Sequence, residues 1–212
     1  LYTLELGGID GDISMPSRID CQTCHEVHET FEVEDYALRT VDPVTMLWDE
    51  TSVLDLGDSS NLCANCHQSR RPEPNIAEPG ETFEITATHY GPHHGPQANV
   101  FAAEGFAEIP GSAAYTGEDG AHSCTSCHMN DYAEGAGGHS WAPNTAGCYE
   151  CHSEASLDGI QTSVETKLNQ LRDELLARGV LEEDPEEPGT YQPVVGTHPM
   201  IEVQAFFNWI GL

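Results

Sequence analysis

The sequence predicts a mostly irregular, loop-rich chain with a few α-helices, wrapped around something other than its own apolar side chains. Three observations predict it. Only 38% of the 212 residues are hydrophobic, and 20 Gly and 13 Pro break up most apolar runs, which leaves little material for a conventional core of this length. Between 68 and 123 the text is turn after turn, with "RRPEPNIAEPGE", "HYGPHHGPQ" and "IPGSAAYTGEDG". A compact domain does not carry a structureless stretch of that length unless a non-protein object organises it. The third observation is a pattern, Cys-x-x-Cys-His, that occurs four times: "CQTCH" at 21–25, "CANCH" at 63–67, "CTSCH" at 124–128 and "CYECH" at 148–152.

The elements follow in chain order. Residues 30–57 alternate weakly in "TFEVEDYAL" and "VTMLWDETSVLDL", which predicts a small hairpin joined around "VDPV". From Ile160 to Arg178 the apolar residues Ile160, Val164, Leu168, Leu171 and Leu175 recur at helical spacing on one stripe. Ser156 or Asp158 is placed to cap that helix, and Gly179 follows its last turn. "EEDPEEPG" then reads as an acidic linker. A second helix is predicted from about Pro199 to Trp209, capped by Thr197, with Pro199 in its first turn. Its face is apolar nearly all round, which requires burial. The organisation this predicts is a single region, 1–157, carrying all four motifs, with a C-terminal helical segment, 158–212, packed on it.

Charge removes several classes of function. Seven basic residues against 36 acidic ones give a formal net charge of −29. Nucleic acid needs clustered Lys and Arg to neutralise phosphates, and anionic lipid needs the same. A strongly acidic surface suits solubility, high salt or cationic species. No stretch approaches the ~20 apolar residues that span a bilayer. The chain begins at Leu1 rather than Met and carries no signal-peptide pattern, as expected of a processed chain. Its apolar ending, "FFNWIGL", suits a packed terminus or the interior of a longer protein.

Four chemistries compete for the motifs. Zinc would use Cys124, Cys127, Cys148 and Cys151, but it needs no His after each second cysteine. Disulfides suit an even number of cysteines, yet all eight lie in Cys-x-x-Cys pairs and the His is again unexplained. Thioredoxin-like redox chemistry uses one such motif on a βαβ frame. With 11 His in 212 residues, four of them at these four positions by chance is on the order of one in a hundred thousand. Haem explains every element. The thiols of Cys21/Cys24, Cys63/Cys66, Cys124/Cys127 and Cys148/Cys151 add across the vinyl groups of four porphyrins, and His25, His67, His128 and His152 reach the irons from one face. The expected cofactors are therefore four c-type haems with their iron, and the porphyrins become the core.

Each iron has a second axial position. Removing the four motif histidines from 11 leaves His28, His89, His93, His94, His122, His139 and His198. Bis-histidine ligation is the natural expectation and implies lower potentials than His/Met ligation. Met129 directly follows His128 and cannot reach the opposite face of that haem. The candidates taken forward are His28, His89, His94 and His139, while His93, His122 and His198 stay open. His28 lies three residues past His25, on the same side of the first haem, so any iron it binds belongs to another haem, in this subunit or a neighbouring one.

The run "SCTSCHMNDYAEGAGGHSWAPNTAGCYECH", 123–152, resembles the late haem-binding segment of the pentahaem nitrite reductases and related multihaem cytochromes. That resemblance implies that His139 is a distal ligand. Four motifs in about 200 residues, with His28 three past a motif histidine, are similar to the tetrahaem cytochromes that polymerise into extracellular filaments. One departure matters: the nitrite reductases attach their active-site haem through Cys-x-x-Cys-Lys, whereas all four sites here end in His. The expected function is therefore electron transfer through closely packed bis-histidine haems rather than catalysis. The expected location is extracellular or cell-surface, with the periplasm as the alternative. Expected partners are other copies of the chain, with His28 ligating across subunits in a filament, and redox proteins or extracellular acceptors; nucleic acid and a membrane span are not expected. The competing function is a multihaem reductase of a small nitrogen compound or oxyanion, for which Arg70 and Arg71 are the only basic pair near a motif.

Overall fold

The structure is a computed structural model that describes residues 19–27, 30–70, 80–92, 95–107, 122–150 and 152–212. Among these, helices α1 (Cys21–Cys24), α2 (Ser60–Ala64), α3 (Gln97–Ala102) and α4 (Cys124–His128) are short, while α5 (Glu154–Arg178) and α6 (Met200–Gly211) are long. Three antiparallel strand pairs accompany them: β1 (Val44–Thr45) with β2 (Val53–Leu54), β3 (Thr82–Ile85) with β6 (Gly196–Pro199), and β4 (Leu181–Glu183) with β5 (Tyr191–Pro193).

The hairpin predicted over 30–57 exists, but both of its strands come from the second half of that stretch. Asp49 closes the turn between them: its Oδ1 accepts the backbone N–H of Thr51 (3.0 Å) and Ser52 (2.9 Å). The first half instead forms a 3-10 turn over Val33–Tyr36. There the buried Asp35 carboxylate accepts the backbone N–H of Thr30 (3.0 Å) and Phe31 (2.7 Å), curling the chain back on itself. A local side chain-to-backbone bond of this kind overrides weak alternation.

Helix α5 begins at Glu154 rather than Ile160, because Ser153, and neither Ser156 nor Asp158, caps it by accepting the N–H of Ser156. Gly179 follows the last turn at φ 71°, and its N–H serves the carbonyls of Leu175 and Leu176. The apolar stripe is buried only toward its C-terminal end. Leu175 is 1% exposed, whereas Ile160 and Val164 are 60% and 48% exposed. The segment read as an acidic linker is the tip of the β4–β5 hairpin, closed by Asp184 N–H to Thr190 O at 2.9 Å. Thr197 lies within β6 and is not the cap of α6, which starts directly after Pro199.

Two apolar clusters hold the described residues together. The first gathers Val44, Met46, Leu54, Ala64, Ala98 and Ala102, so it sits under the second motif, of which Ala64 is a member. The second gathers Ile85, Leu175, Val180, Leu181, Val203 and Phe206 from α5, α6 and the strands beside them. Pairing of β3 with β6 ties residues 82–85 to 196–199. A reciprocal pair of bonds does the same for residue 107: Ala107 N–H donates to Asn208 Oδ1 (2.9 Å) and Asn208 Nδ2 to Ala107 O (2.8 Å). Among the described residues no helix is long and apolar enough to cross a membrane.

Candidate functional site

Each motif begins as a tight helical turn. Asp20 caps α1 in a reciprocal box with Thr23, and Ser123 caps α4 in the same way with Ser126. The histidine N–H closes the turn onto the first cysteine carbonyl: His25 to Cys21 at 2.8 Å, His67 to Cys63 at 3.0 Å, and His152 to Cys148 at 2.8 Å. The turn therefore presents two thiols and an imidazole from five consecutive residues. The seven described cysteines are all unpaired thiols, exposed or half-buried. Cys151 lies outside the described residues.

Three of the motif imidazoles are oriented by a second group. His25 Nδ1 lies 2.7 Å from Tyr36 O, His128 Nδ1 2.8 Å from Trp141 O, and His67 Nδ1 3.0 Å from Gln97 Oε1. A carbonyl oxygen can only accept, so each Nδ1 donates, which in the neutral tautomer leaves the lone pair on Nε2. That is how proteins prepare an imidazole to bind a metal. Sequence reasoning missed these partners, and two of them were illegible in principle, because any residue at 36 or 141 supplies a carbonyl. The chain that delivers Tyr36 O is strapped along the first motif by Glu26 N–H to Ala37 O (3.0 Å) and Arg39 N–H to Cys24 O (2.9 Å). Helix α3 delivers Gln97, and it is held by Ala98 N–H to His67 O at 2.7 Å and by Asn99 Oδ1 accepting Ser69 N–H at 2.6 Å.

Two motif histidines face a second histidine. The ring centroids of His25 and His139 are 6.0 Å apart, and those of His152 and His122 are 5.9 Å apart. Two imidazoles on opposite sides of one metal, each with a metal–nitrogen bond of about 2 Å, hold their centroids roughly 6 Å apart. His139 reaches His25 because the loop before it closes tightly, with Gly138 N–H donating to Asn130 O and Gly137 N–H to Ala142 O, both at 2.8 Å. Gly137 has φ 79° and ψ 176°, a region essentially closed to other residues.

The remaining candidates divide. His198 Nε2 lies 2.7 Å from Val194 O, within a residue that also pairs with Phe83 in the β3–β6 ladder. His89 is exposed. His28, His93 and His94 lie outside the described residues, as does Arg71, and Arg70 is exposed with its N–H directed to Pro92 O at 3.4 Å. Among the described residues, no three His, Cys, Asp or Glu side chains form a cage for a lone metal ion.

The motifs are also in contact with one another. The thiols of Cys63 (second motif) and Cys124 (third motif) share a hydrogen bond, which holds the Cys63 thiol well above the ordinary range and lowers Cys124. Their titration belongs to the pair, since loss of one proton makes loss of the other harder. Burial raises the Cys24 thiol, and the nearby Cys66 and Cys21 sulfurs add to that. Thr125 N–H donates to Ser60 Oγ at 3.0 Å, and its hydroxyl lies 3.1 Å from the same oxygen. Asp58 sits beneath this junction. Burial works to raise its carboxyl, but hydrogen bonds from Ser60, Ser123 and Thr125 outweigh that and hold it below its usual value. Asn144 N–H donates to Cys127 O at 3.2 Å and joins the third motif to the approach of the fourth.

No known protein family, curated protein or solved structure matches this chain. The site must therefore be read from its own chemistry, and the donor set fits covalently held haem. In the first three motifs the thiols sit one turn apart and an oriented imidazole follows them, and large aromatic side chains flank the motifs in the open, among them Phe31 (80% exposed), Tyr36, Tyr132, Trp141 (53%) and Tyr149. Apolar side chains on the surface beside a ligand-bearing turn are what a large apolar group would cover.

Proposed function

We propose that this chain is a tetrahaem c-type cytochrome that transfers electrons, working outside the cell or at its surface, with the periplasm as the alternative. The observation that carries the reading is the orientation of the motif imidazoles, with Nδ1 of His25, His67 and His128 tied to an oxygen so that Nε2 is left to bind iron. Bound haem supplies a one-electron iron couple whose potential follows its axial ligands and surroundings.

The chain's own residues do three things. The cysteines of each motif would hold a porphyrin covalently, and the histidine after them would bind its iron. Contacts such as Thr125–Ser60 and Asn144–Cys127 keep the motif turns close, which favours transfer between neighbouring sites. The acidic surface, −29 overall, stabilises the more positive oxidised centres to a degree that salt screens. Partners on this reading are redox proteins or extracellular acceptors, and other copies of the chain with His28 as a ligand to a neighbour's haem, as in the filament-forming tetrahaem cytochromes.

The test is expression with a c-type haem maturation system, followed by pyridine haemochrome analysis and intact mass. Four haems per chain are expected, and a haem-free chain that instead carries a Cys63–Cys124 disulfide overturns the proposal. Low-temperature electron paramagnetic resonance (EPR) of the oxidised protein then separates the two functions. Low-spin signals throughout support a carrier, while a high-spin ferric signal points to a reductase of a small nitrogen compound or oxyanion. Negative-stain micrographs report whether filaments form.

A further inference from the structure

His122 lies outside the four motifs and stands beside the histidine of the fourth. Its ring stands 5.9 Å from that of His152, at an interplanar angle of 43°, and both side chains are half-buried. The partner pair, His25 and His139, has nearly the same geometry at 6.0 Å and 46°. In each case one ring belongs to a motif and the other does not. Two surface imidazoles have little reason to meet twice at this spacing, and when protonated they repel.

We propose that His122 is the second axial ligand of the iron attached through the fourth motif, opposite His152. The inference rests on the tetrahaem reading above and adds to it a residue that neither spacing nor resemblance singles out. Position supports it from both sides. His122 is held by its neighbour Ser123, which is buried and caps α4 through the box with Ser126. His152 is held by its N–H bond to Cys148 O and by Ser153, the cap of α5. The other described histidines outside the motifs are placed elsewhere: His139 faces His25, His198 is bonded to Val194 O, and His89 is exposed. Because His122 lies two residues before Cys124, this ligation fastens the third attachment turn to the fourth iron. His139, eleven residues past His128, does the corresponding service for the first.

The experiment uses the full haem-loaded chain. In His122→Ala, one haem of the four is expected to change from low-spin to high-spin ferric by EPR and absorption, and added imidazole is expected to restore the low-spin signal. In His122→Met all four stay six-coordinate, and one potential rises, since thioether ligation raises it. His198→Ala is expected to leave every spin state unchanged. A His122→Ala protein with all haems low-spin overturns the assignment, as does a His122→Met protein with four unshifted potentials or a His198→Ala protein that turns high-spin. These failures leave the haem content intact, whereas failure of the tetrahaem reading appears already in the unmodified chain as absence of haem.

Discussion

Replacing Gly137 with Ala tests the loop that brings His139 to His25. At φ 79° and ψ 176°, any residue with a Cβ is strained by about 1–3 kcal/mol. The added carbon would also lie 2.5 Å from Asp131 O and 2.7 Å from Asn130 O. Both are backbone atoms that no rotamer change can move aside, so the loop must open. Opening breaks Gly138 N–H to Asn130 O and Gly137 N–H to Ala142 O, each worth about 1 kcal/mol. Together these terms reach about 3–5 kcal/mol, and every 1.4 kcal/mol is tenfold, so protection of the loop should fall by a factor on the order of a hundred or more. Gly135 is the control: its φ is 92°, but a Cβ there meets nothing within 4 Å, and Gly135→Ala should cost only about 1–2 kcal/mol. Hydrogen–deuterium exchange across residues 130–142 measures both. Equal exchange in the two variants would refute the steric argument, and with it the account of how His139 is presented.

Four further outcomes follow from the same structure. Glu134→Asn should stabilise the chain by about 0.5–1 kcal/mol in thermal melts, because residues 134 and 135 both have positive φ in a two-residue turn between Ala133 and Ala136, the setting that favours Asn-Gly. Leu175→Ala should cost about 2–5 kcal/mol in a denaturant titration, while Ile160→Ala on the same stripe should stay within about 0.5 kcal/mol, given their opposite exposure. Asp58→Asn should lose about 1 kcal/mol at neutral pH. The folded carboxyl is held below its unfolded value, so its contribution is present above about pH 4 and fades as the pH falls through the folded pKa; the gap between variant and parent melting temperatures should close in acid. If the second motif holds the proposed haem, Gln97→Leu should raise its potential, since His67 then loses the acceptor that makes its imidazole more basic.

How much of this was legible depended on how far apart in the chain the deciding groups lie. The four motifs were readable because their pattern fits within five residues. The two long helices were readable from periodicity, although Ser153 moved the start of one of them. Pairings of distant residues were not readable. Nothing in "TFEI" announces β6 as its partner, and nothing near His122 points to His152. Residues 33–36 misled because Asp35 satisfies backbone donors locally, a competition that alternation counts do not register. The half-exposed stripe of α5 shows the converse: spacing states which residues share a face but not whether anything covers it.

The reciprocal bonds between Ala107 and Asn208 and the pairing of β3 with β6 set the order of events in the life of the chain. Each motif turn can form as soon as its own few residues are available, whereas residues 82–85 and Ala107 cannot be paired until residues 196–208 have arrived. On the proposed tetrahaem reading, the exposed or half-buried thiols of those turns would be open to haem attachment before these distant pairings close.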